Sequence, residues 1–140
     1  MARTVLLDTG FLVALVNAKD PDHARCRRVW EGLRARILSV EGVLVEAAHL
    51  LRRAPGGPEA AVGLIVDSGA ILVPSDEQRL RRAASLMKRY RDVPMDLVDS
   101  LLVATAEDLS VDEVLTLDVR GFSVYRRARR RGFRITPQPE

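Results

Sequence analysis

Val5-Leu6-Leu7-Asp8-Thr9-Gly10-Phe11 sets a short apolar run directly before an acid, and Val114-Leu115-Thr116-Leu117-Asp118 repeats the arrangement near the other end of the chain. Short runs that are apolar on both faces are what strands look like when helices cover a sheet above and below. Strands are predicted on this basis at Thr4–Leu7, Ile37–Val40, Ala70–Val73, Glu113–Leu117 and Phe133–Thr136. Between them the apolar residues take a longer period. Leu80, Ala83, Ala84, Met87 and Tyr90 follow the i, i+3, i+4, i+7, i+10 spacing of one buried helix face, and Ser75 with Gln78 three residues on reads as its capping box. Further helices are expected over Phe11–Asn17 and Asp22–Arg34, with a break near Asp20-Pro21. Ala54-Pro55-Gly56-Gly57-Pro58 reads as a turn between two helices, and Arg91-Asp92-Val93-Pro94 closes one helix before another starts at Asp96. Strand and helix in alternation define an α/β fold with a parallel sheet and helical crossovers.

The rest of the composition agrees. The chain has 140 residues, of which 47% are apolar and 29% charged, the size and balance of one domain rather than a disordered or coiled-coil chain. Apolar stretches such as Val43 to Leu51 are interrupted by charge and fall short of the ~20 residues of a membrane span. No amino-terminal apolar core of the secretory kind is present, so a cytoplasmic protein without membrane contact is expected. Cys26 is the lone cysteine, which excludes an internal disulfide and a zinc knuckle. The net charge of +3 is uneven: residues 120–140 carry +6 and residues 1–119 carry −3. A basic end on a mildly acidic body points to an anionic partner at one surface and to a separate task for the carboxylates. Arginine outnumbers lysine twenty to two throughout, however, so a solvated arginine-rich end explains the segment equally well.

Four acids stand where burial is expected. Asp8 and Asp118 close two strand candidates, and ligands of open α/β sheets bind outside the carboxyl ends of strands, where the strand order reverses. Glu46 interrupts Val43-Leu44-Val45 and Ala47-Ala48, and Asp99 interrupts Leu97-Val98 and Leu101-Leu102. Each has an ordinary structural explanation as a cap or turn residue. Together they do not: four carboxylates within ~6 Å would repel pairwise by roughly 3 kcal/mol at an effective dielectric of 20. With no lysine beside them in sequence, a divalent cation is the natural neutraliser, and oxygen-rich sites suit Mg²⁺ or Mn²⁺.

Four segments in order resemble the PIN-domain family, and in particular the VapC-type toxins of toxin-antitoxin pairs. They are Leu6-Leu7-Asp8-Thr9, Val45-Glu46-Ala47, Met95-Asp96-Leu97-Val98-Asp99 with the helix to Ala106, and Leu115-Thr116-Leu117-Asp118 with Phe122. The resemblance spans nearly the whole chain. It implies a single nuclease domain over residues 1–140, a three-layer α/β/α sandwich, and a short parallel five-stranded sheet in the order 3-2-1-4-5. The implied activity is metal-dependent hydrolysis of RNA phosphodiesters, with one or two Mg²⁺ or Mn²⁺ ions. Asp8, Glu46, Asp99 and Asp118 match the family's catalytic acids, with Asp8, Asp99 and Asp118 as metal ligands and Asp96 as a further ligand or a helix cap. Thr9 and Thr116 match supporting hydroxyl positions. Gly10 and Gly121 depart from the family, where polar residues are common. Arg120, Arg126, Arg127 and Arg130, with Arg129 and Arg131, are the residues expected to track RNA phosphates. A homodimer and a small antitoxin protein are the implied partners.

Rival readings are weaker. Glu46 and His49 spell one Glu-x-x-His, but a di-iron bundle needs two copies and four helices. An aspartyl-phosphate mechanism would suit Asp8 but calls for a late lysine or a second acid at position 10, which is Gly10. Trp30, with Cys26 and Leu33, is expected in the core, His49 partly buried on its helix and His23 on the surface at a helix start. The remaining alternative is a module of this fold that binds RNA or protein without cleaving it.

Overall fold

Three wholly buried residues, Val5, Leu6 and Leu7, form the middle of the sheet. The structure, a computed structural model, describes residues 3–127 and 130–139. Strand β1 (Thr4–Leu7) lies between β2 (Arg36–Ser39) and β4 (Glu113–Leu115), with β3 (Ile71–Leu72) and β5 (Arg134–Thr136) at the edges. All four pairings are parallel, and the order is β3-β2-β1-β4-β5. The connections are helical: α1 (Thr9–Val16), α2 (His23–Gly32), α3 (Glu41–Leu50), α4 (Gly57–Asp67), α5 (Glu77–Arg89), α6 (Leu97–Leu109) and α7 (Val119–Val124). Helix α1 packs against α2, α3 and α4, whereas α5 packs on α6, the arrangement of helices covering both faces of a parallel sheet. Among the described residues no helix is long and apolar enough to cross a membrane.

The expected order of elements is present, with local corrections. Edge strand β3 is two residues long because it pairs with β2 alone. β4 stops at Leu115, since the Thr116 hydroxyl accepts the Asp118 amide at 2.9 Å and starts a turn. Helix α5 is capped not by Ser75 but by Asp76, whose carboxylate accepts the Arg79 amide at 2.8 Å. Its buried face is Ala83, Leu86, Met87 and Tyr90, while Leu80 and Ala84 turn to solvent. Ion pairs from Arg79 to Asp108 and from Arg82 to Glu107 set that rotation, because both tie α5 to α6 along one line. Cys26 is buried and Trp30 packs half-buried against the core, as read from their spacing. His49 is exposed rather than partly buried.

One buried acid belongs to the scaffold. Glu113 is 1% exposed at the amino end of β4. Its carboxylate accepts from Arg3 Nε and NH2 at 2.9 and 2.6 Å, from the Thr136 hydroxyl at 2.6 Å and from Arg134 at 3.4 Å. Hydrogen bonds from Arg3, then from Thr136, hold its carboxyl below the ordinary carboxylate range against the opposing effect of burial. This network clips β1, β4 and β5 together at the end of the sheet away from Asp8. Glu113→Ala is expected to cost about 2 kcal/mol in chemical denaturation, the scale of hydrogen bonds to a charged group. Because the folded pKa is depressed, the Glu113 contribution is present above the ordinary value of 4.5 and fades as pH falls through the folded one.

Candidate active site

The reversal of strand order falls between β1 and β4, and Leu7 pairs with Leu115 across it. The next residues, Asp8 and Thr116, therefore stand side by side. The Asp8 amide donates to the Leu115 carbonyl at 3.0 Å, and the Thr116 hydroxyl donates to Asp8 Oδ2 at 2.6 Å. Asp8 Oδ1 accepts the Thr9 amide at 2.8 Å, which makes Asp8 the cap of α1 as well as the buried acid of the crevice. Both readings of this residue hold at once. Burial is the main reason its carboxyl is pushed up to about 6. The bonds from Thr116 and Thr9 oppose that rise, and the charges of Asp118 and Glu46 add to it.

Asp99 enters from the first turn of α6. Asp96 caps that helix by accepting the Asp99 amide at 2.8 Å, and Asp99 Oδ2 accepts the Asp96 amide at 3.3 Å, a reciprocal capping box. The cap reading of Asp96 is thus the one seen in its bonds. Burial, then the charges of Asp8 and Asp96, push the Asp99 carboxyl up to about 8, and Asp118 adds to the effect. Asp118 caps α7 through the Gly121 amide at 3.0 Å. The Thr116 hydroxyl bonds both Asp8 and the Asp118 amide and so ties two of the acids together.

The acids differ in depth from the expectation. Asp8 alone is fully buried; Glu46 and Asp99 are half-buried, and Asp96 and Asp118 are exposed. Asp96, Asp99 and Asp118 sit at helix starts that solvent reaches, and Glu46 lies mid-helix on a half-covered face, so embedding in an apolar sequence did not translate into burial. Asp8 feels the charges of Asp118 and Glu46, and Asp99 those of Asp8, Asp96 and Asp118, but among the described residues no three His, Cys, Asp or Glu side chains are grouped so as to hold a metal ion. Among the same residues no arginine or lysine forms an ion pair with Asp8, Glu46, Asp96, Asp99 or Asp118.

The donor set fits a hard divalent cation. Every group is an oxygen, two carboxyls are pushed up chiefly by burial with neighbouring acids adding to it, and the buried Thr9 hydroxyl has no hydrogen-bond partner. Gly10 has ordinary room for a Cβ, 3.8 Å from Leu117, so its departure from the family is not steric. Gly121 is different. A Cβ there would lie 2.5 Å from Asp118 Oδ2 and 2.9 Å from the Tyr125 hydroxyl. Gly121→Ala is expected to displace both groups, costing about 1–3 kcal/mol in thermal unfolding by overpacking and lowering activity.

The basic segment divides. Arg126 NH1 turns back to the carbonyls of Ser123, Val124 and Tyr125 at 2.8, 3.1 and 2.9 Å. Arg127 is 8% exposed, and its backbone bridges to Arg131. Arg126 is thus drawn into the end of α7 and Arg127 is buried, whereas Arg120, Arg130 and Arg131 are exposed. Arg129 lies outside the described residues. A residue at the site that the motif reading passed over is Tyr125, whose hydroxyl donates to Asp99 Oδ2 at 3.3 Å. Its spacing of three from Phe122 was the available signal.

A parallel sheet with acids at its reversal point places the chain among the α/β proteins whose ligand crevice lies at the carboxyl ends of the strands. Within that class the chain belongs to the PIN-domain family, whose model, described as PIN domain, matches residues 5–128. Ribonuclease VapC26 of Mycobacterium tuberculosis is 27% identical over 124 residues, which cover 87% of this chain and 92% of that one. The crystal structure of Mycobacterium tuberculosis VapC20, described as a Sarcin-Ricin loop cleaving toxin, superposes with a TM-score of 0.76 at 21% identity, covering 82% of this chain and 90% of that one. A toxin-antitoxin complex from Klebsiella pneumoniae gives 0.63 at 16% identity over 86% of this chain and 91% of that one.

Proposed function

We propose that residues 1–140 form a single nuclease domain, a metal-dependent endoribonuclease acting in the cytoplasm as the toxin of a toxin-antitoxin pair. The observation that carries this reading is the pairing of Asp8 and Thr116 across β1 and β4, with Asp99 and Asp118 close enough to raise the Asp8–Asp99 cluster's proton affinity. Membership of the PIN family and likeness to a named ribonuclease support it.

Asp8, Asp99 and Asp118 are the residues to hold Mg²⁺ or Mn²⁺, with Glu46 beside them and Asp96 adding negative charge at the rim. Bound there, the cation supplies a water activated near neutral pH and positive charge opposite the phosphoryl oxygens. Thr116 fixes the Asp8 carboxylate and the Asp118 backbone relative to each other, so the donors from two strands keep one geometry. Thr9 offers a hydroxyl with no competing protein partner. Arg120, two residues after Asp118 and exposed, is placed to meet the flanking phosphate. The exposed rim of Asp96 and Asp118 suits a polymer better than a small enclosed substrate; the cavity of about 440 Å³ between the end of α1 and the α3–α4 turn lies away from it. Single-stranded or looped RNA is the substrate class that presents its phosphates to such a crevice. The antitoxin partner follows from the neighbours described as a toxin-antitoxin complex and as VapBC2 of Rickettsia felis bound to a DNA fragment from their promoter.

The test is cleavage of an end-labelled structured RNA by the purified protein. Products are expected with Mn²⁺ and none with EDTA, and Arg120→Ala is expected to lower the salt slope of RNA binding by about one. Binding without products under Mn²⁺ would instead establish the non-cleaving alternative.

A further inference from the structure

The Tyr125 ring is wholly buried, clamped edge-to-face by Tyr90 at 5.3 Å and by Phe122 at 5.2 Å, and Phe122 is held in turn by Phe133 at 5.5 Å. A buried phenol needs a polar partner, and the clamp leaves the hydroxyl one described neighbour, Asp99 Oδ2 at 3.3 Å. The glycine at 121 shows how tightly this corner is built. The Tyr125 hydroxyl and Asp118 Oδ2 lie 2.9 and 2.5 Å from the point where a Cβ would stand, so the phenol sits between acids borne on α6 and on α7. Asp99 Oδ2 is thereby engaged by two donors, the Tyr125 hydroxyl and the Asp96 amide, while Oδ1 carries no hydrogen bond among the described residues.

We propose that Tyr125 is a positioning residue for the cation, which fixes the Asp99 carboxylate through Oδ2 so that Oδ1 is the oxygen presented to the metal. This rests on the cation reading given above. Asp99 is a half-buried side chain at a helix start, and two bonds of 3.3 Å to one oxygen, from the Asp96 amide and the Tyr125 hydroxyl, together restrain a rotamer that either alone would hold weakly. A phenol delivered by a rigid aromatic stack fixes that rotamer. Arg126 secures the stack from outside, since its amide donates to the Tyr90 hydroxyl at 3.1 Å and its guanidinium closes the end of α7. Partners behind a metal ligand are typically worth ten- to hundred-fold in metal affinity.

The experiment is calorimetric titration of Mn²⁺ into the metal-free protein, Tyr125→Phe and Asp99→Asn. Tyr125→Phe keeps the packing and removes one hydroxyl. Its Mn²⁺ affinity is expected to fall about ten-fold, with a metal-free melting temperature close to the parent's, and to change nothing further in the Asp99→Asn background. Wild-type affinity in a folded Tyr125→Phe overturns the proposal while leaving the cation site intact. No Mn²⁺ binding by the wild-type protein overturns the cation reading itself, and with it this role. If Tyr125→Phe does not fold, the near-ultraviolet difference spectrum of the wild-type protein on adding Mg²⁺ decides: a tyrosine band is expected, and a flat spectrum alongside measurable Mg²⁺ binding overturns the assignment.

Discussion

Asp8→Asn is expected to abolish RNA cleavage in Mn²⁺ and to leave the metal-free protein at least as stable at pH 8. The two halves have one cause. Asp8 is the deepest acid of the crevice, and its carboxyl is pushed up to about 6 from an ordinary 3.8, mainly by burial. Holding it ionised above that pH costs about 3 kcal/mol, the free energy of two pKa units. Asparagine keeps an oxygen for the Thr9 amide and offers a donor to the Thr116 oxygen, so both bonds of the cap survive while the charge goes. With Asp8 a metal ligand as proposed, its loss should exceed the ten- to hundred-fold typical of supporting residues, so a rate loss above about 100-fold is expected in single-turnover cleavage. A variant that cleaves at the wild-type rate would reduce Asp8 to a helix cap. A variant that cleaves poorly and also melts well below the parent would show that the carboxylate is structural.

The α/β alternation and the positions of Asp8 and Asp118 were legible because both are local: a strand end is visible in four or five residues, and the order of strands placed the two ends together. Depth was not legible. Glu46 and Asp99 sit in apolar sequence but are half-buried, because what packs over the middle of α3 and the first turn of α6 is set by the tertiary fold and not by their sequence neighbours. The face of α5 was misread for the same reason. Leu80 has the right period, yet the ion pairs of Arg79 and Arg82 with α6 rotate it outward. Glu113 read as the polar start of a strand, and its arginine partner is at the far amino end of the chain, a pairing no local pattern encodes. The arginines near 126 read as an RNA surface on charge alone, and their depth was not legible: Arg126 turns back to carbonyls at the end of α7, and Arg127 is buried.

The same electrostatics predict how the protein responds to pH and to metal. In EDTA, the melting temperature is expected to fall as pH rises from about 4 to about 8. Asp8 and Asp99 have folded pKa values raised to about 6 and about 8 from an ordinary 3.8. The folded chain therefore keeps protons that the unfolded chain has lost. Their contribution is fully present below 3.8 and is lost as pH climbs through the folded values. If these acids hold Mg²⁺ as proposed, the ion should reverse the loss by neutralising carboxylates that repel one another. At a hundred times its Kd it adds about 2.7 kcal/mol, or roughly 8 °C for a chain of this size. Near pH 5 protons compete for the same oxygens, so the Mg²⁺ shift there should be much smaller. Glu113 does not mask the effect, since its depressed pKa acts below 4.5, in the opposite direction. Differential scanning calorimetry across pH 4–8, with and without Mg²⁺, reads both slopes. A melting temperature that rises toward pH 8 in EDTA and ignores Mg²⁺ would mean that these carboxylates do not share a site, and Asp8→Asn would then leave the pH profile unchanged instead of flattening it.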